Sequence, residues 1–170
     1  GGAAGMGRPQ GAGRLDKGKE VGVSDKYWTG GRANLDHMSE RVRLEEADIA
    51  RPGAWARVIE DADWVIHLAA LADIVPSIEN PQGYFQANVD GTFNVLEACH
   101  AGHVKRFVYA ASSSCYGIPD HTPTLESAEI RPQYPYALTK RLGEELVLHW
   151  AQLYDFPAVS LRLFNVYGPR

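Results

Sequence analysis

The chain has 170 residues, 45% hydrophobic and 22% charged, with a net charge of -4 and a pI near 5.9. That length suits one domain with a real core, and the mild acidity without a basic patch argues against a nucleic-acid surface. No apolar run approaches a membrane span, no Lys/Arg-led apolar segment opens the chain, and Cys99 and Cys115 build no disulfide framework, so no membrane partner is expected and a reduced, cytoplasmic setting is.

The chain opens on "GGAAGMG" (1–7), a glycine-rich turn of the kind that lets backbone N–H groups approach a pyrophosphate. "EVGVSD" (20–25) is a predicted strand ending in Asp25. An acid there accepts hydrogen bonds from ribose hydroxyls and repels a 2'-phosphate, which favours NAD over NADP. A surface loop followed by an ordinary aspartate is the competing reading. "RVRLEEAD" (41–48) is a second strand, and "RPGAWARVIEDA" (51–62) a helix with Pro52 in its first turn. "DWVIHLAA" (63–70) is a nearly continuous apolar run, as in a strand covered on both faces. Its small Ala69 and Ala70 either admit a flat ligand or pack in the core.

"NPQGYFQANVDGTFNVLEACHAG" (80–102) reads as one long helix with Pro81 near its start. Cys99, His100 and His103 at its end resemble metal ligands, but no second Cys/His cluster completes a four-ligand zinc site, so no metal is expected. The reading is a helix C-terminus with histidines at the negative dipole end and Gly102 as the stop. "KRFVYAAS" (105–112) is another buried strand, followed by the hydroxyl run Ser112, Ser113 and Ser114. These serines either meet a substrate hydroxyl or form a polar turn. "QYPYALTKRLGEELVLHWAQLYD" (133–155) is a long helix and "PAVSLRL" (157–163) the last strand.

Strands alternating with helices give an α/β fold, a doubly wound parallel sheet with helices on both faces and right-handed crossovers. Ligands in such sheets sit beyond the C-terminal strand ends. On the helix over 133–155, Leu138, Leu142, Leu146 and Leu153 form one stripe, the expected core face. Tyr136 and Lys140 lie about 110–150° from its centre, on a face with Gly143 and Val147. An ammonium one turn from a phenol lowers the phenol pKa, as a tyrosine base needs. A Tyr-x-x-x-Lys pair arises by chance in about one chain in four of this composition, so the spacing alone decides little.

"HLAALADIVPSIENP", "NVDGTFNVLEA", "KRFVYAASSSCYG", "RPQYPYALTKRLGEEL" and "LRLFNVYGPR", in this order, resemble the extended short-chain dehydrogenase/reductase family. The similarity is to nucleotide-sugar epimerases of the UDP-glucose 4-epimerase type. The resemblance implies a Rossmann-like, NAD-binding domain over 1–170, a fragment lacking the family's first strand and its C-terminal substrate domain. It implies Ser112, Tyr136 and Lys140 as catalytic residues. Tyr136 takes that place rather than Tyr134, because only Tyr136 has Lys140 one turn on. It further implies Gly1, Gly5, Met6 and Gly7 at the pyrophosphate, with Ala4 where the middle glycine is usual. Asp25 would meet the adenosine ribose, Asp48 and Ile49 the adenine, and Leu68, Ala69, Ala70, Asn88 and Phe164 would line the cofactor. Tyr136 and Lys140 also join the cofactor set. Ser112, Ser113, Ser114, Tyr136 and Asn165 would touch the sugar nucleotide.

The implied reaction is 4-epimerisation of a UDP-hexose or UDP-N-acetylhexosamine. Family dehydratases and decarboxylases place an acid just after Ser112, where this chain has Ser113 and Ser114. Those activities, a reductase, and a non-catalytic relative are the alternatives. The implied partner is a second copy, packed through 80–102 and 133–155. These 170 residues alone are expected not to turn over sugar.

Overall fold

The computed structural model describes residues 20–26 and 42–167. The elements in order are β1 (Val21–Asp25), β2 (Val42–Glu46), α1 (Ala56–Glu60), β3 (Trp64–His67), α2 (Ile74–Glu79), α3 (Pro81–Phe85), a π turn (Gln86–Asp90) and α4 (Gly91–Ala101). They continue with β4 (Arg106–Ser112), a 3₁₀ turn (Ser113–Tyr116), α5 (Pro135–Leu153) and β5 (Ala158–Leu163). Every element expected beyond residue 20 is present, but the helix expected over 51–62 spans only Ala56–Glu60, so Pro52 precedes it and does not sit in its first turn. The helix expected over 80–102 is interrupted by the π turn, and α2 and the 3₁₀ turn were not foreseen.

All strand pairs are parallel. β1 pairs with β2, and β4 sits between β3 and β5. Among the described residues no ladder joins β1 to β3. Two layers are clear on the larger sheet. The register puts Val65, His67, Phe107, Tyr109 and Ala111 on one face, and these meet Val95, Leu96 and Cys99 of α4 and Val147 and Trp150 of α5. Phe107 and Leu96 are 1% and 0% exposed, and each buried side chain of this size contributes about 1.5–3 kcal/mol. On the opposite face Val159 and Leu161 of β5 are exposed.

Helix α5 starts with Pro135 at its first turn, where a missing N–H costs nothing. It ends with Asp155 in the left-handed region (φ 49) and the Phe156 N–H bonded to the Ala151 carbonyl. The face it buries corrects the expectation for the leucine stripe. Leu138 and Leu153 are exposed, while Ala137, Thr139, Lys140, Gly143, Glu144, Val147 and Trp150 are buried. The reason is that Thr139 and Glu144 on this face are hydrogen-bonded internally and Lys140 lies against the Tyr109 ring, so they pack inward with the small Gly143 between them. A Cβ on Gly143 would collide with the Tyr109 hydroxyl.

The end of α4 also differs in detail. His103, not Gly102, takes the left-handed conformation (φ 53), and the Val104 N–H closes on the Cys99 carbonyl. Gly102 is there for close approach, since a Cβ would strike the Glu60 backbone at the end of α1. His100 lies against the Tyr154 ring, with centroids 4.2 Å apart. No cluster of three potential metal ligands occurs among the described residues.

Candidate active site

The C-terminal ends of β1, β2 and β3 open into a cavity of about 450 Å³. Its walls include Asp25, Asp48, Ile49, Ala69, Ala70 and Leu71. Asp25 is 6% exposed at the end of β1. Asp48 accepts from Lys26 Nζ at 2.6 Å and from the Ala50 N–H at 3.1 Å. The Lys26 hydrogen bond holds the Asp48 carboxyl below its usual pKa, against the opposing effect of burial. An acid at the first strand end, an aliphatic Ile49 and two alanines suit a ribose, an adenine and the close approach of a dinucleotide. The residues present therefore fit the adenosine half of NAD. Leu68 is half-buried on the same chain stretch but is not part of the wall, whereas Leu71 is. Leu71, Gln82 and Gln86 were not anticipated. Polar residues in the first turns of a helix facing a strand end were the available signal.

Asn88 is buried in the π turn, a feature that often marks functional positions. Its Oδ1 accepts from the Leu71 N–H at 2.7 Å, and its Nδ2 donates to the Leu71 carbonyl and to Thr139 Oγ1, both at 3.0 Å. Thr139 Oγ1 donates in turn to the Tyr136 carbonyl at 2.9 Å. The side chain thus ties the cavity wall to the first turn of α5.

Tyr136 and Lys140 stand one turn apart on α5. The Tyr136 ring is edge-on to Tyr84, with centroids 6.4 Å apart. The Tyr84 hydroxyl donates to the Ala72 carbonyl. Lys140 is 4% exposed, and its Nζ lies 4.4 Å from the centre of the Tyr109 ring. Among the described residues no ion pair holds it, and burial pulls its pKa down to about 7. Ser112 ends β4 at 7% exposure. Its Oγ accepts from the Ser114 N–H at 3.2 Å, capping the 3₁₀ turn in which Ser113 and Ser114 are half-buried.

A second network, not foreseen, braces this corner. Glu144 of α5, 2% exposed, accepts from Arg162 of β5 through Nε and NH2, from Ser160 Oγ at 2.9 Å and from Arg141. Burial works to raise the Glu144 pKa, but the hydrogen bonds from Arg162 and Ser160 outweigh it and hold the carboxyl low. Arg162 NH1 also donates to the Tyr116 hydroxyl at 2.8 Å. Helix α5, the end of the serine turn and β5 are joined by this one guanidinium.

Phe164 and Asn165 follow β5 and are exposed, outside the cavity wall. Ser112, Tyr136 and Lys140 also lie outside that wall, so the cavity and the Tyr–Lys corner are adjoining regions bridged by Asn88 and Leu71. Gly1, Gly5, Met6 and Gly7 fall outside the described residues.

Comparison with known proteins gives a consistent picture. The model of the NAD dependent epimerase/dehydratase family matches residues 12–170. A putative UDP-glucose 4-epimerase of Methanocaldococcus jannaschii is 34% identical over 158 residues, covering 92% of this chain and 51% of the relative. The structure of a UDP-N-acetylglucosamine 4-epimerase from Methanobrevibacter ruminantium M1, in complex with UDP-N-acetylmuramic acid, superimposes with a TM-score of 0.92 at 30% identity, over 99% of this chain and 54% of that one. A UDP-glucose 4-epimerase from Brucella ovis, in complex with NAD, gives 0.84 at 30% identity, over 97% and 50%. The fold is Rossmann-like, and the chain spans about half the length of the curated relatives it matches. With a family model covering nearly all of its length, the chain belongs to the NAD dependent epimerase/dehydratase family.

Proposed function

We propose that these residues form the nucleotide-binding portion of an NAD-dependent 4-epimerase acting on a UDP-hexose or UDP-N-acetylhexosamine. The observation that carries this reading is Lys140. It is buried with no carboxylate partner among the described residues, one turn from Tyr136, on the helix that packs over the strand ending in Ser112. A buried ammonium there serves a phenolate better than it serves stability. Tyr136 would take the proton of the sugar C4 hydroxyl, and Ser112 would hold that hydroxyl by a hydrogen bond. Ser113 and Ser114 supply no carboxylate for dehydration or decarboxylation. When bound, NAD supplies a reversible hydride acceptor, so C4 can invert without net oxidation. Asp25, Asp48, Ile49, Ala69 and Ala70 would hold the adenosine half, and Asn88 would fix the wall beside it. Phe164 and Asn165 would complete the nicotinamide and sugar side.

A cytoplasmic setting and a homodimer belong to the same reading. Cys99 and Cys115 are both buried and unpaired. Phe85, Phe93, Leu138 and Leu148 expose apolar surface on α3, α4 and α5, the elements through which a second copy would pack. The test of function is an assay of the gene product that carries these residues, given NAD and a UDP-sugar. Interconversion of the C4 epimers without accumulation of reduced cofactor is expected, and Tyr136→Phe should slow it by about 10²–10⁴-fold. Loss of water or carbon dioxide from the sugar, or full activity of the Tyr136→Phe variant, would sink the reading.

A further inference from the structure

His67 takes no part in the chemistry above, yet it is buried at the C-terminal end of β3, 4% exposed, between the rings of Phe107 and Tyr109. Its Nε2 lies 2.9 Å from Thr92 Oγ1. The Thr92 hydroxyl has a single hydrogen, and that hydrogen goes to the Asn88 carbonyl at 2.6 Å. Toward His67 the hydroxyl oxygen is therefore an acceptor, and Nε2 must carry the proton. The groups facing the imidazole are Tyr109 from β4, Thr92 from α4 and the charge of Lys140 from α5. Burial first, and Lys140 second, depress the His67 pKa to about 3, which keeps the ring neutral.

The position of Thr92 gives this bond its consequence. A π turn takes its carbonyls out of the usual helical register, and Thr92 engages the carbonyl of Asn88 four residues before it. The same Asn88 places its amide on both backbone groups of Leu71 and on Thr139. An unbroken chain of bonds thus runs from β3 through His67, Thr92 and Asn88 to the cavity wall and to the helix carrying Tyr136.

We propose that His67 and Thr92 are positioning residues, in which an Nε2–H imidazole holds the Thr92 hydroxyl on the Asn88 carbonyl and so sets the π turn that aims the Asn88 amide at Leu71 and Thr139. The inference rests on the reading of this wall as an NAD site for its effect on affinity, but not for the clamp itself. The test uses the 170-residue chain. Nitrogen NMR should show the His67 ring as the Nε2–H tautomer with no titration between about pH 5 and 8. Thr92→Val and His67→Phe should each speed hydrogen exchange of the Leu71 amide about tenfold relative to the amides of β4, and Thr92→Ser should restore it. NAD affinity, measured by calorimetry, should fall with the same two variants and recover with the serine. An Nδ1–H tautomer, an ordinary histidine titration, or Leu71 exchange that changes only in step with β4 would overturn the clamp. If the parent chain binds no NAD, the cofactor reading fails, while tautomer and exchange still decide the clamp.

Discussion

At Lys140, burial and charge oppose each other. Its pKa falls from 10.5 to about 7 in the folded chain, because its ammonium is buried away from water. Between these values the unfolded chain binds more protons than the folded one, so stability rises with pH through that window and is lowest below about pH 7. Lys140→Met removes the buried charge and keeps most of the volume. The variant should therefore melt higher than the parent below pH 7, with the gap closing as pH rises toward 10.5. Thermal melts across that range check it, and a gap independent of pH would contradict the assignment. That Tyr136 and Lys140 stand one turn apart was legible from "YPYALTK", although the spacing alone decided little about their role. The groups around them were not, because Tyr109 and Asn88 reach this turn of the helix only through tertiary contact.

At the scale of the element, α5 shows where periodicity misleads. Counting apolar residues selects the leucine stripe, yet the helix buries Lys140, Glu144 and Thr139. A window of sequence cannot see that Arg162 pairs with Glu144 and Ser160 hydrogen-bonds to it, from a strand more than a dozen residues away. The π turn and α2 were hidden for a related reason, since both depend on Asn88 and Tyr84 finding backbone partners in the loop after β3. The strands were easier to read because the apolar runs of β3 and β4 carry the signal themselves. The Glu144–Arg162 contact bears directly on stability. Arg162→Met leaves a buried carboxylate without its main partner and should cost about 3 kcal/mol, a fall in Tm of about 6–12 °C for a chain of this size. A loss within the ordinary surface range, about 0.5 kcal/mol, would show that the bond is dispensable.

For the whole molecule, the parallel ladders set their C-terminal ends toward one cavity and one Tyr–Lys corner, while the apolar residues of α3, α4 and α5 are left facing outward. The proposed homodimer follows from that surface. Sedimentation of the parent should show a dimer, and Phe93→Glu should shift it toward monomer, since a charge in an apolar interface is costly to desolvate. A monomeric parent would remove the dimer from the account. No described helix is long and apolar enough to cross a membrane. The parallel α/β order was legible from alternating elements, whereas the split between the two ladders depends on which strands pair, which no single stretch of sequence states.

The central claim is that this chain holds NAD at the ends of β1, β2 and β3, with Asp25 choosing between the two nicotinamide dinucleotides. A calorimetric titration of the purified chain with NAD and then with NADP tests it most directly. The expected result is one NAD per chain, NADP weaker by about tenfold or more, and loss of that preference in Asp25→Ala. Equal affinity for both dinucleotides, or no binding of either, would contradict it.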